Sequence, residues 1–185
     1  MLPPSHSCTV VEGRHEPQSE VLRVDAKAEG QAIGIGGWMP HVDATGKIVK
    51  ANSRWFSFEL TEAQAPWAYC KGEPYKTISS LELLATTVGM TIFGKDILGG
   101  MDGDSIGQVT GHTDSQVSAN VLSRGMSTSF PLCCVVMELA ARLEKARAIL
   151  DLEWAPRELN QEADDLSNSI TEGFDSALRT EAVLG

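Results

Sequence analysis

Cysteine is scarce in this sequence and follows no pattern. Cys8, Cys70, Cys133 and Cys134 are the only four in 185 residues, without the C-x-x-C spacing of a zinc site or the density of a disulfide-stapled secreted scaffold. Adjacent Cys133 and Cys134 fall in an apolar helical run and are expected to be small core residues in a reducing compartment. Long hydrophobic runs are missing too: no window reaches the ~18 uninterrupted apolar residues of a membrane helix. The opening Met1-Leu-Pro-Pro-Ser-His-Ser-Cys8 has neither the charged nor the apolar segment of a secretory signal. The expectation is therefore an intracellular protein, cytoplasmic or nuclear, with no membrane partner. Positive charge is also in short supply. Lys and Arg total 15 against 25 Asp and Glu, a formal net charge of −10. Taken alone, that balance argues against a general polyanion binder, because nucleic-acid modules usually present a basic face.

What is present is ordinary for a globular chain, with 42% apolar and 22% charged residues. The length suits one domain, which can bury about 70% of its unfolded surface without a disulfide or zinc staple. Residues 1–20, with Pro3, Pro4, Gly13 and Pro17, read as a leader or linker, and residues 21–180 as the domain. The β-prone run 21–26 ends on Asp25-Ala26, a glycine-rich strand follows over 32–39, and a third over 48–60 carries Trp55, Phe56 and Phe58. Short turns join the three, which predicts an antiparallel meander.

After a loop-like stretch over 61–77 the period becomes helical. Leu81, Leu84, Ala85, Val88 and Ile92 fall on one stripe, with Ser79 or Ser80 as cap and the glycines from Gly94 to Gly103 as terminator. A weak strand over 105–114, a helix over 115–124, an amphipathic helix over 132–146, a strand over 149–154 and a long helix over 160–178 complete the order. In that last helix Ala163, Leu166, Ile170, Phe174 and Ala177 form the inner stripe. The order β-β-β-α-β-α-α-β-α implies an α/β fold with a mixed sheet, covered by helices on both faces.

Four acids occupy positions that this topology can gather: Asp25 at the end of the first strand, Glu82 in the first turn of the first helix, Asp114 at the end of the fourth strand, and Asp164 at the start of the last helix. Ligands collect at strand ends and helix starts in α/β sheets, and carboxylate oxygens in this number suit Mg²⁺. Two carboxylates about 4 Å apart repel by roughly 1–4 kcal/mol in high to intermediate dielectric, so a clustered set needs cations or raised pKa values. At about 100° per residue, Asp164 flanks the buried stripe of its helix while Asp165 points away from it. Asp164 is the expected ligand of the two. Trp38 and Trp154 are expected in the core, and His112, which shares a strand face with Asp114, is expected to be satisfied or exposed.

At these residues the sequence resembles the ribonuclease H family, specifically the domain attached to reverse transcriptases. Thr113-Asp-Ser-Gln116 is similar to the family's TDSQ element, and Leu81-Glu-Leu-Leu-Ala85 to its helix-borne glutamate. Asp25-Ala26 followed by Gly36-Gly37-Trp38 resembles its first hairpin. Trp154-Ala-Pro156 and Asn160-Gln-Glu-Ala-Asp-Asp-Leu-Ser167 resemble its closing elements, in which the first acid, here Asp164, is the ligand. Ile78-Ser-Ser-Leu-Glu-Leu83, Arg124-Gly-Met-Ser-Thr-Ser129 and Pro156-Arg-Glu-Leu-Asn160 most resemble the variant of DIRS-type retrotransposons and hepadnavirus-like polymerases.

The resemblance implies a ribonuclease-H-like five-stranded mixed sheet, three antiparallel strands followed by parallel ones. It implies hydrolysis of the RNA strand of an RNA–DNA hybrid with two Mg²⁺ ions, Mn²⁺ able to substitute, held by Asp25, Glu82, Asp114 and Asp164. Ser115, Gln116, Arg124, Arg157 and Asn160 become candidate hybrid contacts, and a reverse transcriptase portion of the same polyprotein the expected partner. The alternative is a catalytically idle connector or interaction domain in such a polyprotein. Where cellular members carry a histidine before the final helix, this chain has Arg157 and Glu158.

Overall fold

The computed structural model describes residues 22–98 and 106–181. The proposed leader over 1–20 and the glycines Gly99, Gly100 and Gly103 lie outside the described residues.

Five strands among those residues form one sheet: β1 (Leu22–Glu29), β2 (Ala32–Met39), β3 (Arg54–Leu60), β4 (Gly107–Thr113) and β5 (Ala148–Trp154), in the order β3-β2-β1-β4-β5. The first three form the expected antiparallel meander, and β4 and β5 continue the sheet parallel to β1. Two boundaries shift. β1 runs on to Glu29, so Asp25 lies mid-strand and not at its end. β3 starts only at Arg54, because residues 50–52 form a 3-10 turn and Ile48 bridges back to Val42.

Helix α1 (Ile78–Leu98) packs on β1 and β2 and against α3 (Leu132–Ala146). The expected single stripe undercounts its burial. Leu81, Leu83, Ala85, Val88, Met90 and Phe93 are all buried while Leu84 and Ile92 are partly so, because the helix is sandwiched between the sheet and its neighbours. Its length and apolar composition would also suit a membrane span, but here that surface is buried inside the protein. Neither Ser79 nor Ser80 caps it. The helix continues directly from a 3-10 turn over Pro74–Thr77, which sets Glu82 one turn inside rather than in the first turn, and it runs on past Gly94. Gly89 allows the close approach: a Cβ there would press on Leu22 and Val24 of β1.

Helix α2 (Gln116–Arg124) is capped by Ser115, whose Oγ accepts from Ser118 N, and closed by Gly125 at φ 70. On α3, Leu132, Val135, Val136 and Leu139 face the core. Cys133 is only partly buried and Cys134 is exposed, their sulfurs 4.0 Å apart, so the pair sits on the outer side of α3 and not in the core.

The largest departure is the last helix. In place of residues 160–178, α4 spans only Gln161–Ser167. Asn168 caps it, Ser169 takes a left-handed φ of 61 and Gly173 one of 83, so the chain turns back under the sheet. Ile170 and Ala177 are consequently exposed. Phe174 meets Trp38 edge-on at 5.5 Å and Trp55 at 5.7 Å, and with Leu178 it packs on a second small core of Trp38, Trp55, Ala163 and Leu166. Thr180 N donates to Trp55 O and Trp55 Nε1 to Asp175 O, each at 2.8 Å. Trp38 is thus a core residue, as expected.

Candidate active site

The strand register opens the site. β1 pairs with β4 only at Leu22 and Arg23; beyond His112 and Thr113, β4 ends while β1 continues. A notch remains at the carboxyl end of β4, beside the strand at which the sheet changes from antiparallel to parallel, where α/β sheets collect ligands. Asp25 enters it from β1 and Asp114 from the turn after β4. Asn160 closes its floor, Nδ2 donating to the Val24 carbonyl at 3.0 Å.

Helix α4 lies directly on β2 because two glycines permit it. A Cβ on Gly34 would collide with the Ser167 carbonyl oxygen, and one on Gly36 with the Ser167 amide and Leu166. Gly36 is the cross-strand partner of Asp25, so the missing side chain brings the end of α4 against the buried acid. Ser167 Oγ lies 2.7 Å from Asp25 Oδ2 and 2.9 Å from the Asp164 carbonyl, its one proton facing both acceptors. Ser57 Oγ donates to Leu166 O at 2.6 Å and fixes the same turn from β3.

The four acids converge electrostatically. Asp25 is 6% exposed. Burial pushes its pKa up to about 7, the Ser167 hydroxyl opposes the rise, and the charges of Asp114, Asp164 and Glu82 add to it. Glu82 is also raised, by burial first and by Asp114 last, against a hydrogen bond from the Ser115 hydroxyl. Ser115 therefore ties the start of α2 to α1. Asp114 is held through its backbone, its carbonyl accepting from Trp154 Nε1 at 3.0 Å. Trp154 is 48% exposed, a rim residue and not a core one as expected: β5 is an edge strand, and the tryptophan stands at its end with its indole turned to Asp114.

Asp164 carries the ion pair of the site. Arg157 Nη2 donates to its Oδ1 and Gln161 Nε2 lies 3.3 Å from its Oδ2. Asp165 instead meets Gln161 alone, at 2.9 Å. Among the described residues no three His, Cys, Asp or Glu side chains stand in metal-ligand geometry. The donor set nonetheless fits a hard cation: it is carboxylate oxygen throughout, and Asp114 Oδ1 is buried with no hydrogen-bond partner among the described residues.

The other sequence candidates divide. Gln116 and Arg124 are exposed on α2. Ser115 is buried and occupied by capping and by Glu82, and Asn160 is 1% exposed, so both shape the site from within. His112 faces Glu153 at 3.5 Å and burial lowers its pKa, the partly satisfied state expected for it. Sequence reasoning missed a role for Ser167, although its place at the end of A-D-x-L-S was the available signal. It also missed Ser57 and the Trp154–Asp114 bond, which connect residues about 40 to 110 positions apart and left no local mark.

This sheet order, three antiparallel strands followed by two parallel ones, is that of the ribonuclease-H-like fold. Solved structures agree. The chain superposes on ribonuclease H1 from the archaeon Halobacterium salinarum with a TM-score of 0.53 at 18% identity, over 82% of this chain and 96% of that one. It matches the N-terminal RNase H domain of Rv2228c from Mycobacterium tuberculosis, solved fused to maltose-binding protein, with a TM-score of 0.51 at 18% identity, over 83% and 99%. LC11-RNase H1, solved in complex with an RNA/DNA hybrid, gives 0.54 at 18% identity, over 83% and 97%. The sequence itself matches no protein-family model and no curated protein.

Proposed function

We propose that this chain is a divalent-metal-dependent endonuclease that hydrolyses the RNA strand of RNA–DNA hybrids. The observation that carries the reading is the convergence of Asp25, Glu82, Asp114 and Asp164 on the notch left where β4 ends, close enough that, after burial, the charges of the other three add to the raised pKa of Asp25. Asp25, Glu82, Asp114 and Asp164 would hold Mg²⁺, and two such ions, when bound, supply electrostatic stabilisation of the attacking and leaving oxygens of the phosphodiester. The rest belongs to the chain. Ser115 and Ser167 orient Glu82 and Asp25 by hydrogen bonds, and Trp154 holds the Asp114 backbone. Gln116 and Arg124, exposed on α2, would meet the sugar–phosphate backbone, a shape-based recognition with little sequence preference. The reverse-transcriptase-type elements over 78–83, 124–129 and 156–160 support a place in a retrotransposon polyprotein, beside a polymerase portion.

Cleavage of a labelled hybrid by the purified chain, with Mg²⁺ and with EDTA, tests this. Activity is expected with metal only, and Asp114→Asn should fold normally and lose it, by about 10³-fold or more if the charge contributes several kcal/mol to the barrier. Turnover unchanged in that variant would sink the assignment. A folded wild-type chain that binds hybrid but never cleaves it would favour the idle-connector alternative.

A further inference from the structure

Within the metal-site reading above, one carboxylate is already engaged by the chain itself. Both oxygens of Asp164 face side chains: Oδ1 the Arg157 guanidinium and Oδ2 the Gln161 amide. The same guanidinium is within electrostatic reach of Asp25 and Asp114. It is the positive charge that the clustered acids call for, delivered from a short 3-10 turn over Arg157–Leu159. The two partners are unequally held. The Asp164 side chain is 17% exposed and that of Arg157 is 67% exposed, so the acid stays while the arginine can swing into solvent without exposing a core.

We propose that Arg157 is a built-in counter-cation of the carboxylate cluster, paired with Asp164 in the metal-free protein and displaced from it when a divalent cation binds. A metal ion and the guanidinium, both positive, repel each other when they share one carboxylate, so metal affinity is reduced by whatever the arginine pair is worth. Exposed ion pairs are weak and screened by salt, which makes the arginine a removable guard and not a block. While in place it offsets the mutual repulsion that would otherwise burden the metal-free fold.

The test is calorimetric titration of the full chain with Mg²⁺ and with Mn²⁺, together with thermal unfolding in EDTA, for wild type, Arg157→Gln, Asp164→Asn and the double variant. Arg157→Gln should bind metal about two- to fivefold more tightly and unfold at a lower temperature in EDTA. Its gain in metal affinity should vanish on the Asp164→Asn background, because the competition runs through that carboxylate. Arg157→Lys, which keeps the charge but not the planar fork, should fall between wild type and Arg157→Gln and serves if the glutamine variant folds poorly. Unchanged or weaker metal binding in Arg157→Gln overturns the inference and leaves the metal site standing. So does an equal gain without Asp164, which would mark a general charge effect. Absence of metal binding by a folded wild-type chain removes the metal-site reading, and the inference with it.

Discussion

Asp25 stands where ionisation is most costly, buried on the central strand with three other acids near it, and its pKa of about 7 measures that cost. The sign of its effect on stability follows by linkage. Unfolded, the group titrates near 3.8. Between that value and about 7 the folded chain holds a proton that the unfolded chain has released, so the contribution is complete below the unfolded pKa and is lost as pH rises through the folded one. In EDTA the wild-type protein should therefore lose stability across that window. Asp25→Asn should raise the melting temperature more at about pH 8 than at about pH 4; an equal gain at both would show that folding does not raise the Asp25 pKa. Ser167 works in the other direction, lowering the cost of the charged form. Ser167→Ala should cost about 1–2 kcal/mol in urea unfolding at about pH 8 and less near pH 5, where Asp25 carries its proton. A loss independent of pH would assign the serine to helix α4 alone.

Helix α4 shows what an element of seven residues can do when its seat is shaped for it. It is too short to be stable alone. It is held by Ser57, by the Asn160 tether to Val24, and by the bare backbone of Gly34 and Gly36. Gly36→Ala is expected to cost about 1–3 kcal/mol or more by overpacking, because the obstruction is backbone of α4 and not a flexible side-chain end. Thermal unfolding measures that cost, and metal titration should show weakened binding, since Ser167 and Asp164 move with the helix. The turn that follows matters as much. Phe174 fills the space between Trp38 and Trp55 that a longer helix would have left open. Phe174→Ala should lower stability by roughly 2 kcal/mol, less than a fully buried phenylalanine because the residue is only partly buried; a loss below about 0.5 kcal/mol would mean that the tail adds little to a self-sufficient sheet.

For the whole molecule the open quantity is charge. A net −10 repels a polyanion, and the four clustered acids, even when neutralised by cations, account for only part of it. Arg124 is exposed at the end of α2, while Arg157 is occupied by Asp164. Few phosphates can be neutralised by so few cations. Hybrid binding by this chain alone is expected to be weak and to fall further as salt rises, with a shallow slope of about −1 to −2 in log affinity against log salt. Fluorescence anisotropy at several salt concentrations measures that slope, and a steep one would mean that exposed basic residues elsewhere, such as Lys71, Lys76 and Lys145, also meet the hybrid.

The local sequence determined the elements and their order. Period-two runs made the meander, Ser115 and Gly125 bounded α2, and the apolar spacing over 132–146 built α3. The four acids were legible because each sits in a short local context: Asp114 in TDSQ, Asp164 in A-D-D-L-S, Glu82 in Leu81-Glu-Leu-Leu-Ala85 and Asp25 in the Asp-Ala pair before the glycine-rich strand. The end of the last helix was not. The stripe through Ile170, Phe174 and Ala177 keeps a helical period, yet packing on two tryptophans more than a hundred residues away outweighs a propensity worth only tenths of a kcal/mol per residue. Nor could the period of α1 reveal that Leu83, Met90 and Phe93, off its main stripe, are buried as well, since that depends on what packs outside it. Only the tertiary structure decided that Asp25 is buried, that the glycines of β2 exist to seat α4, and that Arg157 lies on Asp164. Residue types and spacing specify which groups are available; distance and dielectric, which set the chemistry of a carboxylate, arise only when strands far apart in the chain share one sheet.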